Sequence, residues 1–191
     1  MATSLDQIID FLRHDGWLFR LDSDADRIVC RGEGANERWR LEVRLSEDGE
    51  CVHLRVPRVV TLGDSPHVPL VLATLLELHY RLKLGRFGLD PDDGEVECEV
   101  VLPLEDAPLT RRQLRRCLGT LLLLVDQQAP RLRAILGTGR DPERDEARHF
   151  DHFLDQLAGA LGLSREVLAA RLAEDDRSAA REGEPSGRRR G

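Results

Sequence analysis

The chain has 191 residues, with 35 acids against 28 bases and a net charge of −7. That length is one domain, or one domain with an appendage, and 41% hydrophobic residues suffice for a core, which excludes wholesale disorder. A net negative charge excludes DNA binding driven by an overall positive field. Asp6 and Asp10 interrupt the start, so no signal-peptide run of roughly 7–15 apolar residues forms there. The longest apolar stretch, 68–76, contains Pro69 and Thr74 and falls short of the roughly 20 residues of a membrane helix. The expected location is the bacterial cytoplasm. Cys30, Cys51, Cys98 and Cys117 form no CxxC pair, so buried free thiols are expected.

In chain order, a helix is predicted over 4–15. Leu5, Ile8, Ile9 and Leu12 recur at helical spacing, and Ser4 with Gln7 fits a capping box. Strands follow over 17–22 and 27–31. Residues 38–45 alternate: Trp39, Leu41, Val43 and Leu45 on one face, Arg38, Arg40, Glu42 and Arg44 on the other. Period two with one wet face marks an antiparallel strand. Asp48-Gly49 turns the chain into a partner strand carrying Val52, Leu54 and Val56, which completes a meander over 17–59. A second helix is predicted over 66–81, capped by Asp64 or Ser65, with Leu72, Leu75, Leu76 and Leu82 in the core. A hairpin over 86–102 shows an acidic stripe of Glu95, Glu97 and Glu99. Thr110 and Gln113 cap a third helix that buries Leu114, Leu118, Leu121, Leu122 and Val125. Pro130 predicts a break or kink near Gln128, and 137–142 reads as a linker. Two further helices are predicted, the first burying Phe150, Phe153, Leu154 and Leu157. Strands in runs between helices predict α+β with an antiparallel sheet flanked by helices and a C-terminal helical extension.

The segment Leu82-Lys-Leu-Gly-Arg-Phe-Gly-Leu-Asp-Pro-Asp-Asp-Gly-Glu-Val resembles the YbjN family, in which a helix runs into a G-R-F strand, an acidic Gly turn and a second strand. Leu102-Pro-Leu-Glu-Asp-Ala-Pro-Leu-Thr, Gln113-Leu and Val125-Asp126 follow in the same order. The resemblance implies the fold of the small type III secretion chaperones, which are acidic, often dimeric, and hold an extended partner segment against their sheet. It implies no catalytic residues. The expected organisation is a YbjN-like domain over 3–136, a helical extension over 143–174 and a disordered tail over 175–191.

No serine stands in a G-x-S-x-G elbow, and no P-loop or G-x-G-x-x-G cradle is present. Two clusters remain. Arg111, Arg112, Arg115 and Arg116 occupy the first turns of the third helix, where the helix dipole disfavours cations. They are a candidate patch for an acidic partner or a phosphate, and neutralisation by Glu105 and Asp106 is the plainer alternative. His149, His152 and Asp155 share a helix side and are the best metal candidates, though the charged residues around them make a solvated surface the plainer reading. The C-terminal pair of helices is short of positive charge for reading DNA. The expected function is therefore a non-catalytic protein-binding or chaperone-like module with no cofactor. Its expected partner is a protein, as an extended peptide segment, or a second copy in a homodimer, with neither membrane nor nucleic acid. The alternatives are a metal-binding protein or enzyme built on 149–155 and a DNA-binding regulator built on the last helices.

Overall fold

The computed structural model describes residues 3–105, 107–146, 151, 155–156, 164 and 166–167. The chain divides into two compact units, residues 1–141 and 142–191. In the second, helical backbone is described at 142–146, 151, 155–156 and 166–167. The predicted apolar face Phe150, Phe153, Leu154 and Leu157 and the predicted tail lie outside the described residues.

The first unit opens with α1 (Leu5–His14), which buries Ile8, Ile9 and Leu12. Its cap is half the predicted box. Ser4 accepts from the Gln7 amide, but the Gln7 side chain donates to the Leu109 carbonyl at 3.1 Å, a tertiary stitch the local motif could not reveal. Then come β1 (Phe19–Asp22), β2 (Arg27–Glu33), β3 (Arg38–Ser46), β4 (Cys51–Thr61), α2 (Val68–Arg81), β5 (Arg86–Leu89), β6 (Glu95–Pro103) and α3 (Arg111–Thr138). The strands form one antiparallel sheet in the order β1-β2-β3-β4-β6-β5. The fold is α+β, an antiparallel sheet flanked by helices.

Alternation sorts the sheet into two faces. Ile28, Cys30, Leu41, Val43, Val52, Leu54, Val56, Val96, Cys98 and Val100 form one continuous core with α1, α2 and α3. The cysteines are buried free thiols. Desolvation pushes Cys30 up to about 11 and Cys98 up to about 12, so both stay protonated at neutral pH.

α2 departs from expectation in its rotation. Val71, Thr74 and Leu75 face the core, whereas Leu72, Leu76 and Tyr80 are 40%, 72% and 92% exposed. The helix is apolar on both sides, so periodicity alone cannot choose a face. Its N-terminal approach decides. Ser65 donates from Oγ to the Leu136 carbonyl at 2.8 Å, and the His67 ring lies against Gly139. Ser65 therefore ties two helices together instead of capping α2, whose N-cap is His67.

α3 also departs from expectation. It runs through Pro130 without a break, buries Gln128, Ala129, Leu132 and Ile135 beyond Val125, and ends on a left-handed Gly139. One missing N–H costs less than exposing that second apolar half. The stretch read as a linker thus belongs to the first unit as far as Asp141. Asp141 is buried and accepts two hydrogen bonds from Arg131, at 2.8 and 2.7 Å.

Asp126, on the exposed side of that helix, explains one of the motifs. Its carboxylate accepts from the backbone N–H of Asn36 at 2.8 Å and of Glu37 at 2.9 Å, and from Asn36 Nδ2 at 3.1 Å. A Cβ on Gly34 would collide with it. The Asn36 amide, followed by that of Glu37, outweighs desolvation and holds the carboxyl below its ordinary 3.8. A depressed folded-state pKa stabilises fully above the unfolded value and loses that contribution as pH falls through the folded one. Asp126→Asn is therefore expected to melt below the wild type at pH near 7. The difference should close as pH falls through the lowered folded-state pKa of Asp126. A constant gap in melts across that range would refute the assignment.

Candidate functional site on the open face of the sheet

The sheet face turned away from the core carries charges in rows. Register places Arg20 beside Val29, Val29 beside Glu42 and Glu42 beside Arg55. It also sets Arg27 opposite Arg44 and Arg31 opposite Arg40. Like charges directly across a ladder destabilise it. Glu42 offsets this: only 3% exposed, it meets Arg40 at 2.8 Å, Arg27 at 3.1 Å and Arg44 at 3.7 Å. Arg27 is gripped from the other side by Asp22 at 2.9 Å, and that hydrogen bond, ahead of the Glu42 charge, raises its pKa.

The predicted acidic stripe lies on the same face. Glu97 pairs with Arg55, Glu95 with Arg58 at 2.9 Å, and Glu99 with Arg86 at 2.7 Å. Arg58 reaches Glu95 from an irregular position: after Pro57 the register shifts between Val56 and Val60, and Arg58 takes a φ of +53°. That is a bulge, which bends the strand and re-aims one side chain. The face is thus cationic over β1 to β3 and balanced over β4 to β6. A cleft of about 680 Å³ spans the junction, lined by Arg31, Arg40, Glu42, Arg55 and Glu95 among others. A neighbouring cavity of about 400 Å³ holds a hydrogen-bonded Ser46–His53 pair at 2.8 Å.

The sequence-derived candidates lie elsewhere. Arg115 donates twice to Asp15, at 2.6 and 2.7 Å, and Arg111 approaches the same carboxylate at 3.9 Å. The Arg115 hydrogen bond is the main reason the Asp15 carboxyl sits below its ordinary range. Neutralisation therefore comes from the end of α1 and not, for these two, from Glu105; Asp106 lies outside the described residues. Arg112 and Arg116 are exposed one turn apart. The double change Arg112→Gln, Arg116→Gln is expected to leave stability unchanged or raise it by on the order of a few tenths of a kcal/mol, as cations leave the helix start. A clear drop in a thermal melt would show that both make structural pairs. Asp155 is exposed, and His149 and His152 lie outside the described residues. No group of three His, Cys, Asp or Glu side chains suited to a metal occurs among the described residues.

The open-face arginines were visible in the sequence as alternation, but not as a site. Nothing local showed that β2 would pair with β3 so as to stack arginine on arginine around one buried glutamate.

The profile of the YbjN family, described as "Putative bacterial sensory transduction regulator", matches residues 4–134. The chain belongs to the YbjN family. Among solved structures it is similar to YbjN from E. coli, at TM-score 0.53 and 14% identity over 69% of this chain and 90% of that one. It is also similar to the HopA1-SchA chaperone-effector complex, at TM-score 0.43 and 20% identity over 61% of this chain and 84% of that one. A 93-residue stretch, 49% of this chain, is 29% identical to an aminoglycoside 3'-phosphotransferase of Staphylococcus aureus. This chain spans about a third of that curated relative's length. The YbjN match ends at residue 134, so Asp141 stands beyond it. No described helix is long and apolar enough to cross a membrane.

Proposed function

We propose that this YbjN-family chain is a non-catalytic, chaperone-like protein-binding module of the bacterial cytoplasm. The observation that carries the reading is the open sheet face of the first unit: the described helices of that unit cover the opposite face, and this one presents ordered charge rows and a cleft of about 680 Å³. A flat polar face on a rigid sheet suits an extended partner segment, which gains affinity from many weak contacts. The chemistry of the described residues supports binding over catalysis. Burial holds the thiols of Cys30, Cys98 and Cys117 protonated, and His53 shows no carboxylate partner to orient it toward Ser46 among the described residues.

Affinity capture from the native bacterium, with the wild type and an Arg31→Glu, Arg38→Glu variant as paired baits, tests this reading. Both side chains are exposed, so the variant is expected to fold. A partner held by the wild type and lost with the variant is the expected result; identical captured sets would overturn it.

The reading includes a homodimer, to which β3 and β4 offer no free edge. Those strands are interior, and the sheet edges are the four-residue β1 and β5, too short to invite pairing. The surface that supports a dimer is the exposed stripe of Leu72, Leu76 and Tyr80 on α2. Light scattering on a size-exclusion column should give twice 21.6 kDa. The monomer mass at every concentration would remove the dimer.

A further inference from the structure

The open-face segment formed by β1 to β3 has the opposite sign to the chain as a whole. Arg20, Arg27, Arg31, Arg38, Arg40 and Arg44 share it with Asp22, Glu33 and Glu42, an excess of three positive charges on a chain of net −7. The carboxylates are committed: Asp22 to Arg27, Glu42 to Arg27, Arg40 and Arg44, and Glu33 to Arg38 at 3.5 Å. Arg20 and Arg31 are exposed and have no carboxylate partner among the described residues. Between them lies a cavity of about 400 Å³ whose other lining is Leu18, Phe19 and Val29. Val29 is 5% exposed and Leu18 is 86% exposed. The feature is an apolar notch with a guanidinium on each side.

We propose that this notch and the adjoining arginine row bind an acidic, extended segment of another protein, one aliphatic side chain entering the notch and flanking carboxylates pairing with Arg20 and Arg31 on either side. The inference rests on the protein-binding reading and adds the chemistry of the partner. An unpaired guanidinium presents a planar fork that carboxylates satisfy two bonds at a time. Extended chain places alternate side chains on one side, which matches an aliphatic residue between acids two positions away. A long polyanion such as nucleic acid fits less well. Beyond β3 the face is charge-balanced, with Arg55, Arg58 and Arg86 paired to Glu95, Glu97 and Glu99, and the notch offers an aliphatic pocket where a sugar-phosphate backbone needs charge.

Fluorescence anisotropy with the full chain tests it. One labelled peptide carries Glu, Glu, Leu, Glu and Glu at alternate positions with Ser between, a second has Gln in place of each Glu, and the third probe is a single-stranded DNA of matching length. The expected result is binding of the acidic peptide, at least about tenfold weaker binding of the Gln peptide and of DNA, and a loss of about tenfold in Arg20→Gln, Arg31→Gln. A melt of that variant matching the wild type separates lost contacts from lost fold. Equal binding of the Glu and Gln peptides would overturn the acidic partner and leave the protein-binding reading standing. Acidic-peptide binding undiminished in a folded double variant would overturn the assigned notch. Binding of DNA with neither peptide bound would overturn this inference and the protein-binding reading together.

Discussion

Asp141→Ala is expected to destabilise the first unit by about 3 kcal/mol, a fall of roughly 6–12 °C in Tm for a chain of this size. The side chains of Arg131 and Asp141 are only 10% and 2% exposed, and the guanidinium meets both carboxylate oxygens, with Gln128 as a further acceptor at 3.2 Å. Removing the acid leaves a charge out of water with two of its hydrogen bonds gone. Breaking such a pair costs far more than replacing it whole, because the remaining buried charge keeps its desolvation cost after losing the attraction of the carboxylate. Arg131→Met combined with Asp141→Leu should therefore melt well above Asp141→Ala alone. Truncation gives an independent check. A chain ending after Thr138 should behave like Asp141→Ala, and one ending after Pro142 should keep the pair. If the two truncated chains melt together, Asp141 contributes nothing and the unit ends with α3.

Leu132→Ala is expected to cost about 3 kcal/mol, within the roughly 2–5 kcal/mol typical of buried leucines. Leu132 is fully buried two residues past Pro130, so the effect measures whether the second half of α3 is core. Chemical denaturation with an unchanged m-value should show it as a shift in midpoint. The companion change Pro130→Ala restores a helix N–H and a good helix former, and should raise stability, by up to about 3 kcal/mol. A helix broken at Gln128 would invert both results: Leu132→Ala would be nearly silent, and Pro130→Ala would gain nothing.

Local patterning determined much of this protein without help from the fold. The period-two runs at 38–45 and 96–102 specified strands and the side each residue shows. The Thr110–Gln113 capping box formed as both halves, and four scattered cysteines with no redox spacing became buried free thiols. These are short-range facts, set by backbone periodicity and by the hydrogen bonds of a single turn. The YbjN resemblance was legible for the same reason, since its motifs are turns and strand starts.

Tertiary structure alone decided the rest. Sequence order placed β5 before β6, but pairing put β6 inside and β5 at the edge, which aligned Glu99 with Arg55 and Arg86. The rotation of α2 was undecided in a helix apolar on both sides until Ser65 met the Leu136 carbonyl some seventy residues away. The partner of Arg115 lay 100 residues back at Asp15, where no scan of neighbouring acids could find it. Pro130, a stop signal by local rules, was overruled because Leu132 and Ile135 had a core to enter. The arginine-lined open face followed from register, which exists only between strands: one residue of slip would exchange Arg31 for Cys30 and bury the row.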